Sequence, residues 1–277
     1  MLSEEQAAVV PGDHVFDQAI AFRPAGAGLL TGASHPAYAN MVGPYGGIIA
    51  AIMLNAVLCQ ENLLGEPVSL TVNYAAPIAD GDYTLQVRTV RTNRSTQHWA
   101  VELVQDHGVA VFATVLTAIR RDTWEASDVT FPQVPAADQV APFPTQGRAP
   151  WAACYDMRFM SGGPDALNGD ATVPEIRVWV RDQPPRPLDF PALAAICDAF
   201  FPMIYARKQK RVPIGTVSLT TYFHANAAEL QQTGTRHVLG VARSHRYGKG
   251  FFDQSGLFWS PDGVLLASTH QVIYFKA

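Results

Sequence analysis

The chain repeats one arrangement of apolar and polar positions twice. Small and branched apolar residues fill Gly46-Gly47-Ile48-Ile49-Ala50-Ala51-Ile52-Met53, and again Phe190-Pro191-Ala192-Leu193-Ala194-Ala195-Ile196-Cys197-Asp198. A helix apolar on every side has to be surrounded by protein. The tetrapeptide Val68-Ser69-Leu70-Thr71 follows the first run, and it recurs as Val217-Ser218-Leu219-Thr220 after the second. Strand-like sequence then continues in each half to a turn glycine, Gly108 or Gly263, and a long final strand, Val109 to Ile119 or Val264 to Phe275.

In the first half the pattern predicts a strand over Val15–Phe22 and a helix over Pro44–Gln60. Strands are expected at Val68–Asn73, Tyr83–Arg91, His98–Gln105 and Ala110–Arg120, separated by Ala79-Asp80-Gly81-Asp82, Asn93-Arg94-Ser95 and Asp106-His107-Gly108. Between Asp122 and Pro150 stand Pro132, Pro135, Pro142, Pro144 and Pro150 without periodicity. Proline fixes φ and removes a donor, so this stretch reads as an extended connector. In the second half Ile176–Arg181 alternates apolar and basic residues, as a half-buried strand does. Asp189 caps the helix that Pro191 enters in its first turn. Strands are again expected, over Val217–His224, His237–Arg246, Phe251–Trp259 and Val264–Phe275.

Each half is thus a helix followed by a meander. A strongly curved sheet can enclose such a helix, and two placed side by side form one continuous sheet around two central helices. The expected domains are a first repeat over 1–121, a proline-rich connector over 122–150 and a second repeat over 151–277. At Gly46-Gly47, Ser69-Leu70-Thr71-Val72 running to Pro77, Arg91-x-x-Arg94-Ser95, Val104-Gln105-Asp106-x-Gly108 and Gly263-Val264-Leu265-Leu266-Ala267-Ser268-Thr269-x-Gln271, the chain resembles the double hotdog acyl-CoA thioesterases, type II enzymes above all. The resemblance spans nearly the whole chain, carried by the order and spacing of motifs that are each weak alone. It implies an α+β double hotdog and hydrolysis of an acyl-CoA-like thioester.

It also implies site residues: an Asp in the second helix, a Thr entering the next strand and a Gln near the chain end, which together hold a water on the thioester. Asp198, Thr216 and Gln271 stand at those positions. Ser218-Leu219 occupies the place of an Asp-His pair in the type II enzymes, a departure that bears on substrate range. Read without the resemblance, Asp198 is a carboxylate among Ile196, Cys197, Ala199, Phe200 and Phe201, and an unpaired buried charge costs several kcal/mol. It is either a structural acceptor for the backbone or Thr216, or a general base with its carboxyl raised by burial. Thr216 can donate through its hydroxyl, and Gln271 offers both an amide donor and an acceptor. Aligning the halves sets Leu54 opposite Asp198, Pro67 opposite Thr216 and Leu116 opposite Gln271, so one half carries the polar set. Gly46 and Gly47 serve either close packing or substrate approach at a helix start, where backbone N–H groups can hold an oxyanion.

Composition narrows the alternatives. With 48% hydrophobic and 16% charged residues the chain can bury a large core, and a net charge of -4 gives no nucleic-acid footprint. Arg207-Lys208-Gln209-Lys210-Arg211 is either a solvated helix end or a contact for an anionic substrate tail. Cys59, Cys154 and Cys197 read as reduced, buried thiols, and Met1 to Gln6 lacks the pattern of a signal peptide, which points to the cytoplasm. The longest apolar run is shorter than the roughly 20 residues a bilayer span needs. Neither Gly-x-Ser-x-Gly nor a nucleotide-binding glycine motif occurs, and the chemistry calls for no metal and no cofactor. The expected partners are an acyl-CoA-like small molecule and further copies of the chain as a homo-oligomer. The alternative is a non-catalytic acyl-thioester or lipid-binding protein of the same fold.

Overall fold

The computed structural model describes residues 12–164 and 175–276. The first half comprises a short helix α1 (Val15–Ala19), the hairpin β1 (Arg23–Gly26) and β2 (Leu29–Ala33), the helix α2 (Gly46–Leu58), and strands β3 (Glu66–Tyr74), β4 (Asp82–Thr92), β5 (Thr96–Gln105) and β6 (Gly108–Ala118). The second comprises β7 (Tyr155–Ser161), β8 (Ile176–Asp182), helices α3 (Phe190–Ile196) and α4 (Met203–Lys208), β9 (Ile214–Phe223), α5 (Ala227–Thr233), β10 (Val238–Arg243), the two-residue β11 (Tyr247–Gly248), β12 (Phe251–Trp259) and β13 (Leu265–Phe275). From 122 to 149 the only helical piece is one 3-10 turn, Ala137–Gln139, and a second, Pro150–Cys154, leads into β7.

All the strands join one sheet, in the order β1-β2-β4-β5-β6-β3-β9-β13-β12-β10-β8-β7, with β11 attached to β12. The order reads the same outward from the β3–β9 seam in both directions. There the repeated tetrapeptides meet antiparallel: Thr71 lies opposite Thr220, and their hydroxyls are 3.0 Å apart. A local two-fold relation therefore passes between two threonines at the same place in the repeat. Arg120 secures one end of the seam, donating from Nη2 to the carbonyls of Pro67, Phe223 and Ala225 at 2.8, 2.7 and 3.3 Å. The turns before the long final strands are made alike, with Gly108 at φ 97 and Gly263 at φ 89, a region that favours glycine.

Ten of the residues of α2 are buried, and α2 packs on α3, all seven of whose residues are buried. Two expectations change. Val15–Phe22 begins as a helix, because His14 Nδ1 accepts from the Phe16 N–H at 3.0 Å and Phe16 and Ala19, three apart, share a buried face. Cys59 is exposed, since it caps the C-terminus of α2 where the helix leaves the core, whereas Cys154 and Cys197 are buried. Met1 to Gln6 lies outside the described residues. No helix among those described is long and apolar enough to cross a membrane.

One buried acid lies away from the helix contact. Asp182, ending β8, is 2% exposed, and its Oδ1 has no hydrogen-bond partner among the described residues. Burial pushes its carboxyl up to about 7 against the lowering field of Arg186. An acid that titrates higher folded than unfolded contributes its full stability below about pH 4 and loses it as pH rises toward the folded value. Asp182→Asn is therefore expected to raise Tm relative to wild type above pH 7 and to leave the two level near pH 4, as calorimetry across that range will read.

Candidate active site

The chain leaves α3 in a turn, with the N–H groups of Asp198 and Ala199 donating to Ala195 and Ile196 at 3.2 and 2.9 Å. Phe201 precedes Pro202, which favours extended backbone there and ends the helical path. Asp198 is thus held at the end of α3, facing the start of α2. The close approach depends on two glycines. A Cβ on Gly46 would lie 2.8 Å from Asp198 Oδ2, and one on Gly47 would lie 2.4 Å from the Ala195 carbonyl. Tyr45 donates its hydroxyl to Ala195 O at 2.8 Å, and Tyr74 to Gly46 O at 2.7 Å.

Gln271 Nε2 donates to Asp198 Oδ1 at 3.0 Å, and the Gly47 backbone N–H also bonds the carboxylate. Burial raises the Asp198 carboxyl to about 7 even though both of these bonds lower it. The phenols of Tyr45 and Tyr74 are pushed well above their ordinary range by burial first and the Asp198 charge second, so both remain donors. Asp198, Gln271, Thr216 and Gly46 all line one cavity of about 870 Å³. Gly47 is not among the residues that line it, and its N–H acts on the Asp198 carboxyl.

Thr216 reaches the cavity through a β-bulge. Val272 pairs with Ser218, but Ile273 pairs with Thr216, leaving Val217 as the extra residue. Without it Thr216 would share the outer face of Ser218 and Thr220; with it Thr216 faces the side of Ile273 and Gln271. Its hydroxyl makes no hydrogen bond to Asp198 or Gln271 among the described residues. The first half carries the same bulge at Val68, between Pro67 and Ser69, so Pro67 does match Thr216. The ladders shift another match: Leu70 pairs with Val115 as Leu219 pairs with Gln271, so Val115 rather than Leu116 is the counterpart of Gln271.

Sequence reasoning missed several lining residues. Gln254 lies directly opposite Gln271, is 2% exposed, and accepts from the Met203 N–H at 3.2 Å. Trp151 stacks on Tyr45 at 4.2 Å, and Phe143 meets Phe159 edge-on at 5.5 Å. The connector gave no periodicity from which Phe143 could be placed, and Trp151 directly follows it in a 3-10 turn. Trp99, Trp179 and Trp259 are core residues instead. Among the described residues no group of three or more His, Cys, Asp or Glu side chains is placed to hold a metal ion.

Two family descriptions match the chain: the acyl-CoA thioesterase N-terminal domain over residues 35–119 and the acyl-CoA thioesterase C-terminal domain over residues 130–275. The chain belongs to the acyl-CoA thioesterase family. Its fold is the double hotdog of such thioesterases. A conserved hot dog protein of unknown function from Alicyclobacillus acidocaldarius is 42% identical, with 95% of this chain and 98% of that one covered at a TM-score of 0.91. An acyl-CoA thioesterase II from Mycobacterium marinum is 16% identical, with 94% and 98% covered at 0.73. The dehydratase domain of RzxB from Pseudomonas fluorescens is 10% identical, with 90% and 94% covered at 0.51, and shares the fold alone. No curated protein matches the chain.

In this acyl-CoA thioesterase family member the loop carrying Asp198 is wedged in place by Phe200. That ring lies over two glycines of neighbouring strands: a Cβ on Gly240 would come within 2.9 Å of it and one on Gly256 within 2.5 Å. Phe258 packs on it at 4.9 Å. Gly256→Ala is expected to lift Phe200 toward the cavity and to cost about 1–3 kcal/mol in urea unfolding, the usual range for overpacking.

Proposed function

We propose that the protein hydrolyses an acyl-CoA-like thioester to the free acid and the thiol, with Asp198 as general base. The observation that carries this reading is a cavity-facing carboxylate, bonded by Gln271 at 3.0 Å and raised by burial to about 7. A base poised near working pH combines a populated carboxylate with useful proton affinity. Membership of the thioesterase family supports the reaction class, whereas the fold is shared with a dehydratase domain and does not choose between them.

Gln271 spends an amide N–H on Asp198 and leaves its amide oxygen to accept from a water. Thr216, turned to the same face by the bulge, adds a hydroxyl. As Asp198 takes a proton from that water, the water oxygen attacks the thioester carbon. The tetrahedral intermediate collapses by breaking the C–S bond, and the departing sulfur takes the proton back from Asp198. The N-terminus of α2 opens on the cavity at Gly46, and its positive pole favours the developing oxyanion. The glycine pair thus divides its work, Gly46 facing substrate and Gly47 holding the base. The same reading divides the chain into repeats over 1–121 and 151–277 with a connector over 122–150, and treats α2 and α3 as the centre of a curved sheet.

Asp198→Asn should retain the fold by circular dichroism and lose about 10²–10⁴ in kcat on acyl-CoAs, measured by thiol release. Tight acyl-CoA binding without turnover by the wild type would instead identify a binding protein. Because the base acts deprotonated, kcat/KM is expected to fall as pH drops below about 7 and to level off above it. A pH profile flat through that range overturns the role given to Asp198. Gly46→Ala, which sets a methyl group against Asp198 Oδ2, should lower kcat while leaving Tm within a few degrees of wild type.

A further inference from the structure

Asp198, Gln271 and Thr216 do not exhaust the polar lining of the cavity. Gln254 also lines it, on the inward face of β12 directly opposite Gln271, and is 2% exposed. Its oxygen is committed: Oε1 accepts the Met203 N–H at 3.2 Å at the start of α4, where Pro202 makes no side-chain cap bond. A backbone N–H can only donate, so this bond fixes which end of the amide is the oxygen and leaves Nε2 on the other side. Nε2 has no hydrogen-bond partner among the described residues. The Met203 bond accounts for an acceptor, which a carboxylate or a hydroxyl would also supply. It does not account for an amide, whose second group is a donor that is costly to bury unpaired.

The repeat supplies an independent observation. Leu219, Gln271 and Gln254 stand side by side across β9, β13 and β12, as Leu70, Val115 and Trp99 do across β3, β6 and β5. Gln254 therefore takes the place of Trp99, a buried core residue whose ring N–H is given to Thr117 at 3.4 Å. This exchange falls in the same half as those that set Asp198, Gln271 and Thr216 in place of Leu54, Val115 and Pro67. Packing the core is served by the first-half member of each pair, and the polar member stands beside the cavity each time.

We infer that Gln254 is a further catalytic residue, whose amide N–H binds the thioester carbonyl oxygen and holds it as it becomes an oxyanion. The inference rests on the hydrolase reading and deepens it. Side chains directly opposite on neighbouring antiparallel strands stand about 5 Å apart. That spacing suits a water held by Gln271 and a carbonyl held by Gln254, because attack begins with the reacting atoms about 3–3.5 Å apart. The start of α2 at Gly46 meets the same oxygen from another direction. A hydrogen bond to an oxygen that gains negative charge strengthens along the reaction, so this donor acts on kcat more than on KM. The amide is held at both ends, by β12 and by the Met203 N–H, and needs no rearrangement to donate.

Two variants separate the donor from the anchor. Gln254→Glu keeps an acceptor for Met203 and loses the N–H, whereas Gln254→Met has neither group. Both are expected to lower kcat on acyl-CoAs, read on the high-pH plateau, by about 10²–10³ with little change in KM. Only Gln254→Met should also lower Tm. Plateau activity kept by Gln254→Glu makes the side chain an anchor for α4 and overturns the assignment. So does a loss confined to acyl groups with an oxygen beta to the carbonyl, which puts the N–H on the acyl chain. A second measurement needs no turnover: calorimetry compares a dethia acyl-CoA, with CH2 in place of sulfur and the carbonyl kept, with an S-alkyl-CoA that lacks the carbonyl. Wild type is expected to favour the carbonyl compound by about three- to tenfold, and both variants to bring the ratio toward one. A ratio that neither variant changes overturns the donor. An inactive wild type sinks the hydrolase reading, and the carbonyl contact is then decided by the binding ratio. An active wild type whose variants keep both turnover and ratio sinks the role of Gln254 alone.

Discussion

Everything in this molecule hangs on the antiparallel seam between β3 and β9. Five residue pairs, from Ser69 with Tyr222 to Asn73 with Ser218, join the two halves of the sheet. The repeat places Thr71 against Thr220, so the halves continue one ladder and neither leaves an open edge in the middle. That single register decides what lies beside what. It sets the two apolar helices in contact, brings the end of α3 to the start of α2, and leaves room there for a carboxylate only because positions 46 and 47 are glycine.

A duplicated scaffold need not carry duplicated chemistry. At three matched positions the first half has Leu54, Val115 and Pro67 where the second has Asp198, Gln271 and Thr216. The apolar set costs nothing to bury and belongs to core packing, as the near-zero exposure of Leu54 and Val115 shows. The polar set is retained beside a cavity, where each group keeps unspent hydrogen-bonding capacity. Both halves have the bulge that turns residue 67 or 216 inward, but only a threonine there has a group to offer. The bulge is thus a property of the repeat, and the side chain is what makes it useful.

The elements that sequence revealed best were those repeated or strongly periodic. The helix over 44–60, the four strands after it and Ile176–Arg181 all reappear within a few residues of their expected ends. The Asp198–Gln271 pair, 73 residues apart in sequence, could be named from the family likeness, yet nothing local indicated that the two would touch. What sequence hid depended on tertiary contact. The bulge at Val217 is invisible in a pattern of alternation, and so is the extra residue between Gly263 and Ala267 that moves the match of Gln271 from Leu116 to Val115. The helix α5 did carry a signal, since Asn226 and Glu229 form a capping box, and it was overlooked among the strand candidates. Trp151 and Phe143 sit in proline-rich sequence without periodicity, where only packing against Tyr45 and Phe159 gives them a place.

The protonation of Asp198 follows from the same contact that built the site. Burial between two apolar helices disfavours the carboxylate, while the Gln271 amide and the Gly47 N–H at the positive end of α2 favour it. Burial outweighs them without abolishing them, and the carboxyl comes to rest at about 7. For the general base we propose, either influence alone would be worse: a dry, unassisted acid would stay protonated, and a fully solvated one would hold no proton long enough to return it to a leaving sulfur. The helix that encloses the carboxylate is also the helix that stabilises its charge. A sheet that brings the end of one buried helix to the start of another therefore supplies both halves of that balance.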